Sequence, residues 1–588
     1  MKNGIQSGIK TNTPGLKGAI HRWMANRLEF ILSIPGGRLY RRHVRACQRV
    51  EAEQLRVLRE ILAWSRDTEV GRQFGFADIR THADYCQRVP VMDYEQHRPW
   101  IERHAKGEEG VLFPGRPMVF TRTSGTTAKP KLIPITQFNF DRTIRNRGKL
   151  WLHSLSRHFP GIYAGKDFTL VSPAFDGETE GGIPFGSLSG IIYQNIPAFM
   201  KLVHTIPYEV LCIPDYDAKA YALLRFGVPS HVTCILTGNP GTLLNLAQKG
   251  DLWKDTLIED IRAGTLSRDF AFTDALRATL EAMLEPAPER ADELAAIAQS
   301  QPRFRPADYW PDLRLVHTWT NGNCALVIPK LRDWFRDETP ILDFGYIASE
   351  INASDVIEPG SNGSHLSVRS AFYEFSAFEE DDQPTRFYMA HELEVGRRYF
   401  IYVTTYSGLY RYDMNDVVEV VGHFHQAPVL KFLFKGKGVT SLQGEKLSEH
   451  QLIEAVAQAA RDTGIGHDFF TAVADPELPG YTLYIELHGD PTDARTAQFA
   501  AAVDNALCQV NIEYAAKRDS ERLVPVRVLP LREKAFDAYR IMRLTEGAFE
   551  GQLKWLHLSM ADDMALRRME GILHPSVIPS PPATGEEA

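Results

Sequence analysis

The chain has 588 residues, 44% of them hydrophobic, 10% aromatic and 24% charged, with a formal net charge of -8 at pH 7. That balance excludes a disordered or fibrous protein, and the length exceeds one ordinary hydrophobic core, so two or more lobes are expected. The negative charge gives no bulk reason to bind nucleic acid or an anionic membrane, so neither partner is expected and binding must come from pockets.

Residues 1–42 hold no uninterrupted apolar core of signal-peptide length, and the run FILSIP is too short to cross a bilayer. The six cysteines (Cys47, Cys86, Cys212, Cys234, Cys324 and Cys508) form no C-x-x-C pair, which argues against a zinc ribbon or a disulfide framework. A reducing, cytoplasmic setting is expected, and a monomer. From His43 to about Asp67 the spacing of Val44, Leu55, Leu58, Ile61 and Leu62 predicts a helix with one apolar stripe, which serves packing.

The next informative stretch is TRTSGTTAKPKLIPIT, residues 121–136. Hydroxyls and backbone N–H groups in a glycine-containing loop can converge on one phosphate, and Lys129 and Lys131 add charge. The Walker pattern G-x-x-x-x-G-K-[ST] is absent, because counting from Gly125 puts Pro130 where its second glycine belongs. A polar turn leading into a strand, KLIPIT, is the alternative.

FTLVSPAF (168–175) and HVTCILTGNPG (231–241) each read as a buried strand running into a loop. Residues 265–310 alternate helical periodicity with proline breaks and read as peripheral helices. RRYFIYVTTYSGLYRYDMNDVVEVVGHF (397–424) alternates apolar and polar residues about a Ser-Gly turn, as a β-hairpin or small barrel would. Past a Gly/Lys-rich link, Ser448 reads as the N-cap of a helix with Leu452, Ile453 and Val456 on one face. A strand (YTLYIEL), a helix with Phe499, Val503, Leu507 and Val510 on one stripe, and a second strand (VPVRVLP) follow.

The expected architecture is therefore α/β. A large N-terminal body over 1–434 contains a β-rich subregion, a glycine-bearing hinge occupies 435–438, and a small mobile α+β C-terminal domain covers 439–573. A disordered tail is expected at 574–588.

Four motifs in order, TSGTTAKPKLIP, FGYIASE (344–350), GLYRYDMNDVVEV (408–420) and GKGVTSLQGEKLSE, together resemble the GH3 family of acyl acid amido synthetases, within the adenylate-forming superfamily. The likeness extends to RVPVMDYEQHRPWIERHAKGE (88–108) and GAFEGQLKWLHLS (547–559), and so runs from about Arg56 to Ser559. It departs at Ala128 and Asn415, where glycine is common, and at Trp555-Leu556-His557, where a proline-arginine pair is common.

The resemblance implies a ligase that uses ATP and Mg²⁺ to activate a small carboxylic acid as acyl-AMP and passes the acyl group to an amine, in the typical case an amino acid. It further implies that Ser124, Gly125, Thr126 and Thr127 wrap the β- and γ-phosphates, with Lys131 flanking them or else serving as a solvated strand-edge lysine. Tyr346 would stack on adenine, Ser349 approach the α-phosphate and Glu350 hold Mg²⁺, whereas a helix N-cap would explain Ser-Glu equally well.

Asn321 and Gly322 fall where the superfamily has a loop beside adenine, or form a plain turn. Asp416 would accept from both ribose hydroxyls, or be a turn aspartate. Arg411 would approach the phosphate or pair with a carboxylate. Lys554 would reach the α-phosphate and the reacting carboxylate; its alternative is a solvated lysine. His231, His317 and His391 are expected to be structural. No metal-ligand histidine cluster, G-x-S-x-G elbow or Rossmann fingerprint is present in the sequence, so hydrolase and dehydrogenase readings lack support. Transfer to coenzyme A or a carrier thiol, or a nucleotide-binding regulator without catalysis, remain the alternatives.

Overall fold

The computed structural model describes residues 36–123, 131–196, 201, 203–355, 363–378, 384, 386–436, 439–440, 442–443, 445, 447–475, 479–519, 522–545, 557–560, 569 and 571–575. They fall into two compact units. The first lies within Met1–Thr123, Pro130–Met414 and Glu419–Phe432, and the second within Ser124–Lys129, Asn415–Val418 and Leu433–Ala588. The phosphate-loop candidates at 124–127, hinge residues 437 and 438, Lys554 and the tail beyond 575 lie outside the described residues.

In the first unit the strands Lys166–Leu170, Val232–Thr237, Leu315–Thr318 and Ile341–Asp343 lie side by side in that order, each parallel to its neighbour. Parallel neighbours need long crossovers, and helices Tyr216–Gly227 and Pro240–Leu252 lie in two of them. Both helix starts are written locally. The Asp215 side chain accepts from the Ala218 N–H, and Asn239 accepts from Gly241 with Pro240 in the first turn. Leu223, Leu224, Leu243 and Leu246 then pack with Phe168, Ile235 and Val316 in one core. Covered in this way, the middle strands are buried almost throughout.

A second sheet pairs Val119–Thr123 antiparallel with Lys131–Ile135, Thr123 lying opposite Lys131. The stretch expected to be a hairpin or small barrel forms the middle of an open seven-stranded sheet. There Phe372–Ala377, Arg398–Thr404, Tyr412–Phe424 and Ala427–Lys435 are consecutive neighbours, and Tyr388–Met389 and Ser354–Asp355 are the outer strands. Periodicity identified the strands but could not reveal their distant partners.

The helix expected from His43 onward is broken. Helical backbone over 36–47 ends in a turn, and a new helix runs over Val50–Ser65. No proline or glycine marks the break; a residue far along the chain accommodates it. The Gln426 side-chain oxygen accepts from the Val50 N–H at 3.2 Å, and the Gln426 N–H donates to the Cys47 carbonyl at 2.9 Å. These bonds satisfy backbone groups that a continuous helix would have paired.

In the second unit, helix Glu449–Thr463 begins with a reciprocal capping box between Ser448 and Gln451 and stops at Gly464, whose φ of 68 is left-handed. The expected cap at Ser448 is thus observed. Strands Arg527–Pro530, Gly480–Leu487, His467–Asp475 and Leu558–Met560 form a sheet in that order. Phe499, Val503 and Leu507 of helix Asp493–Val510 are buried.

Four buried imidazoles are held neutral. His97 accepts from the Tyr410 N–H, and His104 accepts from the Leu112 N–H, through nitrogens that protonation would block. Burial lowers the pKa of His97, His104 and His557 to about 4 and that of His317 to about 3. The unfolded chain therefore binds protons first, so this stability is complete above about pH 6.5 and is lost as pH falls toward 4. Thermal denaturation at stepped pH should show a falling midpoint below pH 6.5, with each such histidine costing about 2 kcal/mol at pH 5.

Candidate active site

In open parallel sheets, ligands bind beyond the carboxyl ends of the strands. Two of the candidate groups leave the sheet at that edge. Strand Leu315–Thr318 continues into Trp319, Thr320, Asn321 and Gly322, and strand Ile341–Asp343 continues into Phe344 and on to Glu350. Gly322 adopts φ 59 and opens a short 3-10 turn, a backbone state that glycine takes without a Cβ penalty. Asn321 before it is extended, and both are half-buried.

Tyr346 is buried, its ring near-parallel to that of Phe432 at 5.8 Å between centroids, and its N–H donates to Ser354 Oγ at 2.6 Å. Beyond it, Ile347 and Asn352 form an antiparallel bridge, and Ala348 and Ile351 exchange backbone bonds of 2.8 and 3.3 Å. Ser349 and Glu350 are therefore the two tip residues of a tight hairpin, half-buried, and no helix starts there for Ser349 to cap. The Tyr412 hydroxyl donates toward Glu350 Oε1 at 3.5 Å, the limit of a hydrogen bond.

One residue that the sequence reading passed over ties these two loops together. Asp343 Oδ1 accepts from both the N–H and the hydroxyl of Thr320, at 2.8 and 3.0 Å, and Oδ2 accepts from the Gly345 N–H at 2.8 Å. The second contact is an aspartate bonded to its own chain two residues on. The signal was available as Asp343-Phe344-Gly345 at the end of a strand. Above the same edge, His317 stacks on Phe344 at 4.2 Å and on Trp151 at 5.4 Å. His317 thus has the structural role expected of it.

Lys131 begins its strand half-buried, with Nζ 5.2 Å above the Tyr94 ring. Of the two readings of Arg411, the structure realises pairing with a carboxylate. The residue is buried, and its Nε donates to Glu374 Oε2 at 2.9 Å. Nη1 donates to the carbonyls of Cys86 and Val89, and the group lies 4.2 Å above the Phe387 ring. The other oxygen of Glu374 meets His82 Nε2 at 2.9 Å and accepts from the Cys86 thiol at 3.2 Å. This grouping is invisible in sequence spacing because Glu374 lies on a distant strand. Burial and the neighbouring Glu374 push the thiol pKa up to about 12, so Cys86 is a neutral donor.

Asp416 is buried in strand Tyr412–Phe424 and is not a turn residue. Its carboxylate pairs with Lys435 Nζ at 2.5 Å. Just before it, Asn415 has φ 52, and its carbonyl accepts from the Gly436 N–H at 2.7 Å. The structure thus brings Asn321, Gly322, Tyr346, Ser349 and Glu350 to adjoining loops of the first unit. Arg411 is placed in a separate buried pair, and Asp416 lies in the second unit. Ser124, Gly125, Thr126, Thr127 and Lys554 are outside the described residues.

Comparison with known proteins decides the lineage. The GH3 family N-terminal domain matches residues 40–341, its central domain 364–435 and its C-terminal domain 450–562. The chain belongs to the GH3 family. An indole-3-acetic acid-amido synthetase of Arabidopsis thaliana, GH3.3, is 25% identical over 533 residues, spanning 86% of this chain and 89% of that protein. A 4-substituted benzoates-glutamate ligase of the same plant, GH3.12, is 24% identical over 534 residues, spanning 86% and 92%. The solved structure of a GH3.15 acyl acid amido synthetase shares the fold, with a TM-score of 0.78 at 22% identity over 89% of this chain and 94% of that one. The GH3 resemblance and the α/β class are borne out. So is the expectation of a ligase joining an acid to an amine, since these relatives form amides.

Asn415, where the resemblance led us to expect a glycine, is left-handed, and asparagine tolerates that region better than most residues. Asn415→Gly should leave stability nearly unchanged, whereas Asn415→Val should cost about 1–2 kcal/mol in urea denaturation. Glu374→Ala, which strands the Arg411 cation in the interior, should cost about 3–5 kcal/mol by the same measurement.

Proposed function

We propose that this GH3 chain is an ATP-dependent ligase that activates a small carboxylic acid as acyl-AMP and transfers it to an amino acid. The observation that carries the reading is the pair of loops at the carboxyl edge of the parallel sheet, Asn321-Gly322 and Tyr346 to Glu350, bearing the family's second motif. A carboxylate oxygen attacks the α-phosphorus and pyrophosphate leaves. The amine nitrogen then attacks the acyl carbon, loses a proton and releases AMP. Such chemistry asks for positioning and charge stabilisation more than for a covalent nucleophile.

In this reading Ser124, Gly125, Thr126 and Thr127 cradle the outer phosphates, with Lys131 beside them. Tyr346 and the Asn321-Gly322 loop flank adenine, and Ser349 faces the α-phosphate. Glu350 is the carboxylate that would hold Mg²⁺, and its place at a hairpin tip, with the distant Tyr412 hydroxyl on one oxygen, suits a hard cation beside phosphate. That ion would supply positive charge to the phosphoryl oxygens. Asp416 accepts from the ribose hydroxyls, for which Lys435 must yield or share the carboxylate. Lys554 stabilises the charge that develops during adenylation, and the small domain moves about 435–438 between the two half-reactions. Arg411 supports the strand and makes no nucleotide contact. A cytoplasmic monomer that binds no nucleic acid completes the reading, in keeping with six cysteines outside disulfides.

The test is acid-dependent exchange of labelled pyrophosphate into ATP across a panel of aromatic and aliphatic acids, followed by mass spectrometry of amides formed with the twenty amino acids. Exchange with at least one acid and an amide product are expected. Lys554→Ala should slow exchange about 10²-fold, and Glu350→Gln should raise the Mg²⁺ concentration required. Thioester formation on adding coenzyme A would move the acceptor to a thiol. ATP binding without exchange for any acid would favour a regulator.

A further inference from the structure

The loops at the sheet edge raise a question that the motifs leave open: what fixes Asn321-Gly322 and Tyr346 in one arrangement, given that each sits at the start of an irregular segment? Thr320 immediately precedes Asn321, and Gly345 immediately precedes Tyr346. Both are bound by the same carboxylate, Asp343, through three donors at 2.8, 3.0 and 2.8 Å. The anchor itself is held from behind, since the Asp343 carbonyl meets His317 Nε2 at 2.9 Å.

A second tie runs in parallel. The Trp319 indole N–H donates to the Gly345 carbonyl at 3.2 Å, and the Trp319 backbone N–H donates to the Gly238 carbonyl at 3.1 Å, so the exits of three neighbouring strands are joined. Gly345 cannot be varied within this arrangement. Its φ is 83, and an added Cβ would stand 2.9 Å from Ser354 Oγ.

We propose that Asp343, with Thr320, is a positioning residue that sets the adenine-facing loops, and so governs affinity for the nucleotide base without touching it. The inference rests on the adenylating reading above. It goes beyond that reading by assigning base recognition to a carboxylate outside every motif. Asp343 has two oxygens with opposite duties: one orders the loop before Asn321 and the other the loop before Tyr346. An asparagine can keep only one of these duties in full, because its NH₂ would face the backbone N–H of either Thr320 or Gly345, a donor that needs an acceptor.

The experiment uses the full-length protein, with direct ATP and GTP binding by calorimetry and initial rates with an acid that the wild type accepts. Asp343→Asn should raise the Kd and KM for ATP about tenfold while kcat and the KM for the acid stay within about twofold. Because GTP gains little from an adenine-shaped wall, the preference for ATP over GTP should shrink. Thr320→Ser, which preserves both bonds, should behave as wild type. Thr320→Val, which keeps the N–H bond and loses the hydroxyl, should give a smaller rise in the same constants; this variant carries the test if Asp343→Asn does not fold.

Unchanged ATP constants in the folded variants would overturn the proposal. So would a parallel rise in the constants for ATP and acid together with a lowered melting temperature, which would mark Asp343 as a general staple. A wild-type protein without ATP affinity would remove the adenylating reading and this inference together, whereas an active wild type with an indifferent Asp343→Asn variant would sink the inference alone.

Discussion

At the end of a buried parallel strand the backbone runs out of ladder partners, and each N–H and carbonyl left over must bond elsewhere or reach water. In this chain the strands Leu315–Thr318 and Ile341–Asp343 end side by side, and one side chain meets much of that obligation. The carboxylate of Asp343 accepts from Thr320 and Gly345, so the strand ends and the loops that follow them form one bonded unit. The tight hairpin that carries Ser349 and Glu350 begins a few residues further on and inherits its orientation from this anchor. Order at the sheet edge is therefore a consequence of satisfying backbone groups, and the chemistry borrows it.

The same economy governs the buried charges. Arg411 and Glu374 neutralise each other in the interior, and Glu374 also serves His82 and Cys86. Glu445, fully buried, accepts from the Leu442 and Gln443 N–H groups and from the Tyr481 hydroxyl. Pairing of this kind adds little net stability compared with apolar packing, but leaving one partner alone would be costly, so the arrangement specifies geometry. Asp416 differs in that its partner, Lys435, is half-exposed, which leaves its carboxylate the most readily reassigned of the three.

Much of this was legible in the sequence where the information is local. Ser448 as a helix cap and the buried strand Val232–Thr237 each declare their structure within a few residues, and the motif order declared the family, whereas Asn239-Pro240, read as part of a loop, in fact starts a helix. What escaped was long-range. The break at 48–49 is satisfied by Gln426, and the carboxylate that claims Arg411 lies 37 residues before it on another strand. Asp343 escaped for a different reason: its local signal was present, but it reads as an ordinary turn until the neighbouring loop is seen to share it.

Gln54 and Gln426 stitch the beginning of the chain to its middle. Gln54, wholly buried in helix Val50–Ser65, bonds to the Val368 and Ala371 carbonyls and accepts from the Tyr373 N–H, while Gln426 bridges the helix break just before it. During synthesis the opening helices therefore emerge long before the partners that complete them. The Gln54 side chain must wait, hydrated, until more than 310 further residues have left the ribosome, and the Val50 N–H until 376 have. Such distant closure slows folding, and it makes the first helices among the last elements to acquire native protection in a nascent chain.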